Sequence, residues 1–425
     1  MRVLLVSANT ERSHMRVLPL GLAGLAAATR AAGHEATMLD LAGAPDPAAA
    51  IARECSGFNP RVIGLSVRNI DNQSRQQPRF YLDEVRETVN ACRGVSAATI
   101  VLGGAGYSIF PEAALDYLGA DMGIQGEGEW AFPLALARLE KGEPLSGVPG
   151  LYLRGEGLQA PRSFAVQLPP LPPSGELLLA EAGPADSNLW IPVQTRRGCP
   201  LRCSYCSTPQ IEGGALRCRL PDGVVDWLGQ VAAAGFRRFY FVDNVFNLPA
   251  GWALDFCRRL SAARLDIEWR CIVYPRELDD ELVEAMAEAG CREVSLGFES
   301  GAPKILVRLN KRFGVVDVRE SSAIMARHGI RRLGFLLLGG PGETRASVRQ
   351  SLQFVESLKL EGGRVTTGIR IYPGTGVARE ALAEGMVASG DTLLQPCFYL
   401  APGLAGWLDD TLARWDEARP GWVIA

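Results

Sequence analysis

Histidine is nearly missing from this chain: three occur in 425 residues, at His14, His34 and His328. A zinc site completed by histidine has little to draw on. Basic charge is not in excess either. The 44 Lys and Arg stand against 47 Asp and Glu, for a net charge of −3, without the basic surplus of a nucleic-acid binder. No apolar run approaches the ~20 residues of a membrane span. MRVLLVSANT lacks the apolar core and small-residue cleavage site of a signal peptide. A cytoplasmic protein with no nucleic-acid partner and no membrane span is therefore expected. The loop after the first apolar run, SANTERSHMRVLPLG, has no glycine before Gly21. The G-x-G-x-x-G turn of nicotinamide-binding folds is thus absent. Internal repeats are absent as well.

What remains is an ordinary soluble composition, 47% hydrophobic and 21% charged. The length suits two or three domains at about 100–200 residues each. Short apolar runs (MRVLLVSA, HEATMLDL, RVIGLSV, ATIVLGG, ADMGIQG) alternate with helical stretches over residues 1–145. That alternation predicts a doubly wound, Rossmann-like α/β domain with a parallel sheet, whose ligands bind beyond the carboxyl ends of the strands. Residues 146–190, rich in Pro, Gly and Ala, read as a linker. Over residues 191–378 the runs IPVQTR, RRFYFVD, IEWRCIV, EVSLGFE, RRLGFLLLG and TTGIRIYP predict a partial (β/α)6 TIM barrel, with its site at the carboxyl ends of the strands. Residues 379–425 read as a short tail centred on the loop-like PCFYLAPG.

Ten cysteines are present, and three of them, Cys199, Cys203 and Cys206, lie together in RRGCPLRCSYCSTPQ. The rest (Cys55, Cys92, Cys218, Cys257, Cys271, Cys291 and Cys397) are scattered and read as buried thiols. A cubane iron–sulfur cluster takes one thiolate per iron. Three protein thiolates leave one iron open, as a catalytic zinc keeps an open position. Gly198 and Pro200 suit a loop that wraps three corners of a cluster. Structural zinc would need a fourth ligand, for which Cys218, twelve residues downstream, is the available thiol.

The C-x-x-x-C-x-x-C spacing after a first barrel strand, with the aromatic Tyr205 before the last cysteine, resembles the radical S-adenosylmethionine (SAM) superfamily. The resemblance implies a [4Fe-4S] cluster on the three cysteines and SAM on its open iron. One electron from an external flavodoxin- or ferredoxin-like donor would cleave SAM to a 5′-deoxyadenosyl radical. It further implies that Asp243 and Asn244 in FVDNVF contact the methionine amino group, and that Glu299 and Ser300 in SLGFES meet the ribose or carboxylate. Gly339 and Gly340 in LLLGGPGET would let backbone approach the adenine, and Arg370 and Tyr372 in IRIYPGT would face the site.

The first domain resembles the cobalamin-binding domain that precedes such barrels in one subfamily. Its unusual residues follow the later strands: LSVRN, LGGAGYS and QGEGEW. Ser66 matches a Ser-x-Leu motif and Gly103–Gly104 a Gly-Gly pair, both of which hold the nucleotide tail, while Arg68 replaces the leucine. Gly106, Ser108, Glu127, Gly128 and Glu129 complete the candidate cobalamin contacts. The Asp-x-His-x-x-Gly loop that supplies a lower axial histidine is missing, and neither His14 nor His34 is expected to ligate cobalt. Arginine is permanently protonated and has no lone pair. Under the corrin ring, Arg68 would block a lower ligand. The resemblance thus implies transfer of a methyl group from SAM through methylcobalamin to an unactivated carbon of a small molecule, a secondary metabolite or pigment precursor. Two alternatives stand beside it. One is ring contraction, cyclisation or oxidation with the same cofactors. The other is a non-enzymatic cobalamin-based sensor.

Overall fold

The five apolar runs of the first domain form strands β1 (Arg2–Ser7), β2 (Glu35–Asp40), β3 (Val62–Ser66), β4 (Thr99–Gly103) and β5 (Met122–Ile124). In the computed structural model, which describes residues 1–9, 17–177, 189–417 and 419–425, the chain divides into two units. Unit 1 holds Met1–Asn72, Phe80–Trp190 and Gln210–Gly213; unit 2 holds Gln73–Arg79, Ile191–Pro209 and Gly214–Ala425.

In unit 1 the five strands are parallel in the order β2-β1-β3-β4-β5. Val3 to Val6 are all buried, as they must be in a sheet covered on both faces. Helices Leu20–Ala31 and Gly128–Lys141 supply Leu22, Ala26, Phe132 and Ala135 to the core over Leu5, Val101 and Ile124. Gly64 in β3 leaves room for Leu5 and Phe132: a Cβ there would lie 2.8 Å from the Leu5 side chain. Strand order reverses between β1 and β3, which opens the ligand crevice of a doubly wound sheet at that point of its carboxyl edge. Ser7, Ser66 and Gly103 stand there in one register row. The expected linker contributes to this sheet. β6 (Leu151–Leu153) pairs antiparallel with β5, and β7 (Gly157–Leu158) with β6. Runs of two and three residues carry no periodicity to read.

Unit 2 contains β8 (Ile191–Val193), β9 (Arg196–Arg197), β10 (Arg217–Cys218), β11 (Arg238–Phe241), β12 (Glu268–Val273), β13 (Cys291–Glu299), β14 (Arg331–Leu338), β15 (Gly362–Thr367), β16 (Ile369–Arg370), β17 (Phe398–Tyr399) and β18 (Trp422–Ile424). The main sheet is parallel in the order β8-β11-β12-β13-β14-β15-β18. Its first six strands follow chain order with helices between them, the succession of a partial barrel.

Two expectations are corrected here. The sixth strand is GGRVTT, upstream of the expected TTGIRIYP. Ile369–Arg370 instead make a small antiparallel pair with Phe398–Tyr399. Two adjacent glycines read as a turn in sequence, but the packing requires them. A Cβ on Gly363 would meet the carbonyl oxygen of Gly334 at 2.1 Å and the Trp422 ring at 2.7 Å. The second correction concerns the tail. It supplies the helix Trp407–Asp416 and the edge strand β18, whose Trp422 ring lies over Gly334 and Gly363.

Gly363→Ala should therefore destabilise the protein by about 2 kcal/mol or more, the scale of overpacking a closed contact. A urea melt reads this directly, and an unchanged midpoint would refute the close approach of β14, β15 and Trp422.

Candidate active site

β8 ends where the cysteine loop begins, and the junction is set by a buried carboxylate. Asp243, at the end of β11, accepts hydrogen bonds from the Thr195 amide at 2.7 Å, the Thr195 hydroxyl at 2.6 Å and the Arg196 amide at 3.1 Å. The Arg196 guanidinium lies 3.5 Å from the same carboxylate. Arg196 is itself buried, with its guanidinium 4.3 Å from the Trp252 ring centre and 5.4 Å from that of Phe246. Both carboxylate oxygens of Asp243 are thus committed within the protein. Asp243 thereby fixes the stem of the loop. Asn244 faces the loop: the Thr208 hydroxyl donates to its side-chain oxygen at 3.1 Å, and the Cys206 thiol donates to Thr208 at 3.3 Å.

Cys199, Cys203 and Cys206 are half-buried and outside any disulfide. Gly198 and Arg202 adopt left-handed backbone, with φ of 85° and 54°. Three neighbours clamp the turn. The Ser204 amide donates to Leu309 O at 3.0 Å, the Asn310 side chain donates to Arg202 O at 2.7 Å, and the Val377 amide donates to Ser204 O at 2.9 Å. Gly376 permits the last contact, since a Cβ there would sit 2.9 Å from that of Ser204. Among the described residues no three His, Cys, Asp or Glu side chains converge as they would on one metal ion. A cubane places each thiolate on a separate iron and does not need that convergence. An all-sulfur donor set on one short, externally held loop fits such a cluster.

Beside the loop, Glu299 adopts left-handed backbone at φ 66°, where the β13–β14 register shifts. Its carboxylate accepts from Tyr205 OH at 2.8 Å and from the Lys311 ammonium at 3.1 Å. Lys311 also donates to Tyr205 OH at 3.0 Å and Gly297 O at 3.2 Å. Burial alone would lower the Lys311 pKa, but Glu299 and Cys203 outweigh it and raise it. Burial, with Glu299 beside it, pushes the Tyr205 phenol far up, so it stays protonated. Lys311 escaped the sequence reading because nothing in RLNKRF separates it from an exposed lysine.

Ser300 points elsewhere. Its buried hydroxyl pairs with that of Ser351 at 2.9 Å and accepts the Ala302 amide at 3.1 Å, capping the turn into helix Pro303–Arg308. Gly339 and Gly340 lie at the end of β14 as expected, Gly339 with φ 94°. Their amides donate to Glu343 at 2.5 and 3.2 Å. The other Glu343 oxygen is buried without a partner among the described residues. Burial pushes this carboxyl up to about 7, against the pull of the two amides. Arg370 is buried and donates to the carbonyls of Ile371, Leu393 and Leu394 at 2.7, 2.9 and 3.0 Å. With Tyr372, Tyr205, Glu299, Phe335, Thr366 and Gln73 it lines a cavity of about 160 Å³. Gln73 was not anticipated. It is held with φ 54° in the segment Gln73–Arg79, where Arg75 ion-pairs with Asp409 and Gln76 donates to Asp409 at 2.9 Å.

In unit 1, Ser66 closes β3 and the exposed Arg68 follows it at the carboxyl edge. Gly104, at φ 97°, packs on this turn, and a Cβ there would lie 2.7 Å from Val67 O. The Gly106 amide donates to the same carbonyl at 2.9 Å. Over Gly103 the edge is open, with Ile124 O at 3.9 Å as the near neighbour of an added Cβ. Small residues along an open carboxyl edge fit the approach of a large planar ligand such as a corrin. Ser108 is an internal strut: it donates to Gly104 O at 2.8 Å and accepts the Gly126 amide at 2.9 Å. Glu127 accepts the Ala165 amide at 3.1 Å, and Gly128 opens the helix Gly128–Lys141. Glu129 lies against Gly24, 3.5 Å from where its Cβ would be. Ser108, Glu127 and Glu129 thus all have neighbours within unit 1. His34 lies at the amino edge of the sheet, 3.1 Å from the Met1 nitrogen. His14 falls outside the described residues.

A model described as the B12 binding domain matches residues 7–136, and one described as the radical SAM superfamily matches residues 193–355. The chain is 28% identical to an uncharacterized methyltransferase of Pyrococcus horikoshii, over 91% of this chain and 84% of that one. It is 25% identical to the tryptophan 2-C-methyltransferase of Streptomyces laurentii, over 88% of this chain and 74% of that one. A radical SAM methyltransferase, TsrM, from Kitasatospora setae shares the fold with a TM-score of 0.85 at 22% identity, covering 97% of this chain and 88% of that one.

Two outcomes follow. Asp243→Asn strands the Arg196 cation in the core and should cost roughly 3–5 kcal/mol in chemical unfolding; a cost below 1 kcal/mol would refute the pinning role. Glu343 ionises near 4.5 when unfolded and near about 7 when folded. Between those values the folded state holds more protons. Stability is therefore lost as pH rises through that window, by roughly 3 kcal/mol. Glu343→Gln should flatten this part of the stability–pH curve.

Proposed function

We propose that this chain, a B12 binding domain joined to a radical SAM domain, is a methyltransferase acting on an unactivated carbon of a small molecule. The observation that carries the reading is the union of the two domains on a chain similar along most of its length to two methyltransferases. When bound, the cluster delivers single electrons to SAM for radical formation and cobalamin relays the methyl group. An external donor of the flavodoxin or ferredoxin kind would supply the electrons that both groups need.

The protein's own share is binding, orientation and exclusion of water. Cys199, Cys203 and Cys206 hold the cluster on a turn clamped through Arg202 and Ser204. Glu299, 3.1 Å from the Lys311 ammonium, would offer the SAM ribose a hydrogen-bond acceptor. Gly339 and Gly340, whose amides are committed to Glu343, form the turn that would border the adenine at the end of β14. Tyr372 and Arg370 wall a cavity whose size, about 160 Å³, suits a small group rather than a macromolecular segment. In unit 1 the Ser66 and Gly103–Gly104 turn would hold the corrin, and the exposed Arg68 beside it would supply charge and hydrogen-bond donors but no lone pair for cobalt.

SAM labelled with carbon-13 in its methyl group tests the reading without a substrate. After anaerobic reconstitution with iron, sulfide and hydroxocobalamin and addition of a reductant, label should enter the corrin fraction with one S-adenosylhomocysteine per methyl. 5′-Deoxyadenosine with no label in the corrin would replace methylation by a radical cyclisation or rearrangement. Cys203→Ala should abolish 5′-deoxyadenosine formation and leave corrin binding intact. Arg68→Ala should alter the visible spectrum of bound cobalamin; an unchanged spectrum removes Arg68 from the lower face.

A further inference from the structure

Lys311 carries a full charge where water is nearly excluded; its side chain is 4% exposed. Burying an ammonium costs several kcal/mol unless it is paired and hydrogen-bonded. All three of its donors are used, on Glu299, Tyr205 and Gly297. The segment that presents it runs along the cysteine loop residue by residue. Leu309 receives the Ser204 amide, Asn310 donates to Arg202 O, and Lys311 donates to Tyr205, which lies between Cys203 and Cys206. A fixed cation and a fixed anion therefore stand against the loop that holds the cluster.

A plain structural tie between β13 and the loop would account for the ion pair. It does not account for the left-handed backbone of Glu299 at φ 66°. Such a conformation costs a non-glycine residue roughly 1–2 kcal/mol and gathers at functional positions. Nor does it account for Glu299 and Tyr205 lining the cavity together.

We propose that Lys311 and Glu299 act as an electrostatic pair of opposite sense on the cluster, Lys311 raising its electron affinity and Glu299 lowering it. This rests on the assignment of a [4Fe-4S] cluster to Cys199, Cys203 and Cys206. Reduction adds one negative charge to the cluster. A nearby cation stabilises that charge and a nearby anion opposes it, with little screening where water is excluded. Neither residue touches iron; both are positioning residues that work through the field at the loop.

The test is an EPR-monitored redox titration without SAM or substrate, on protein reconstituted with iron and sulfide, with iron and sulfide content measured on each sample. At the wild-type midpoint, Lys311→Met should lower the reduced-to-oxidised ratio about tenfold, which is ~59 mV for one electron. Glu299→Gln should raise it by a similar factor. Lys311→Arg and the double variant Lys311→Met/Glu299→Gln should stay within about threefold of wild type. A packing defect has no sign, so both single variants moving the same way, or neither moving at full iron content, overturns the proposal. Should Lys311→Met lose iron, Glu299→Gln and the double variant, which leaves no lone buried charge, decide the matter. Wild type that takes up no four-iron cluster removes the cluster assignment itself. Wild type with a cluster and unresponsive variants removes only the proposal.

Discussion

The carboxylate of Asp243 gathers two backbone amides, a hydroxyl and a guanidinium at the point where β8 turns into the cysteine loop. Because a buried anion must be matched, Arg196 follows it into the interior. The guanidinium in turn lies over Trp252 and Phe246. Phe246 meets Phe241 and Trp269 with ring centres 5.4 and 5.0 Å apart. The entry of the loop is therefore anchored to the core of β11 and β12. Its far side is anchored to residues 309–311 and to the start of helix Gly376–Ala383. Gly198 takes its left-handed backbone without steric cost, whereas Arg202 at φ 54° is strained and is held by the contacts on both sides of the turn.

Two carboxylates near the strand ends, Glu299 half-buried and Glu343 buried, have different partners. Glu299 accepts from the Lys311 ammonium and the Tyr205 hydroxyl. Glu343 has two amide donors and an oxygen without a partner among the described residues, and burial pushes its carboxyl up to about 7. At Glu343 two amide dipoles do not offset the desolvation of a charge. The consequence is a fixed anion beside the cysteine loop and a polar but weakly charged turn at Gly339–Gly340.

The three cysteines were legible because their spacing is local, and one turn decides where they lie. Strand–helix alternation was legible where a strand buries both faces, as in RVLLVS, or alternates strictly, as in IEWRCIV. It failed at GGRVTT, where the glycines answer to Gly334 and Trp422 across the sheet. It failed also in the last 47 residues, where β18 has only β15 to pair with among the described residues. Asp243 and Ser300 stand at strand ends, where ligand contacts are expected, yet their oxygens answer to Thr195, Arg196 and Ser351. Gln73 and Lys311 were invisible as site residues, for each reaches the cavity or the loop from a segment distant in sequence.

Composition and local pattern by themselves determined the α/β class, the order of most strands and the cysteine loop with its all-sulfur chemistry. These depend on periods of two to four residues and on spacings of three and four, which the chain carries wherever it goes. Tertiary structure alone decided which polar side chains of the strand ends face the cavity and which turn inward, and which cation stands beside the loop. Those choices depend on where a buried donor or charge finds its partner. Such partners lie from 12 residues away, for Glu299 and Lys311, to 106, for Tyr205 and Lys311. No local rule brings them together before the sheet has formed.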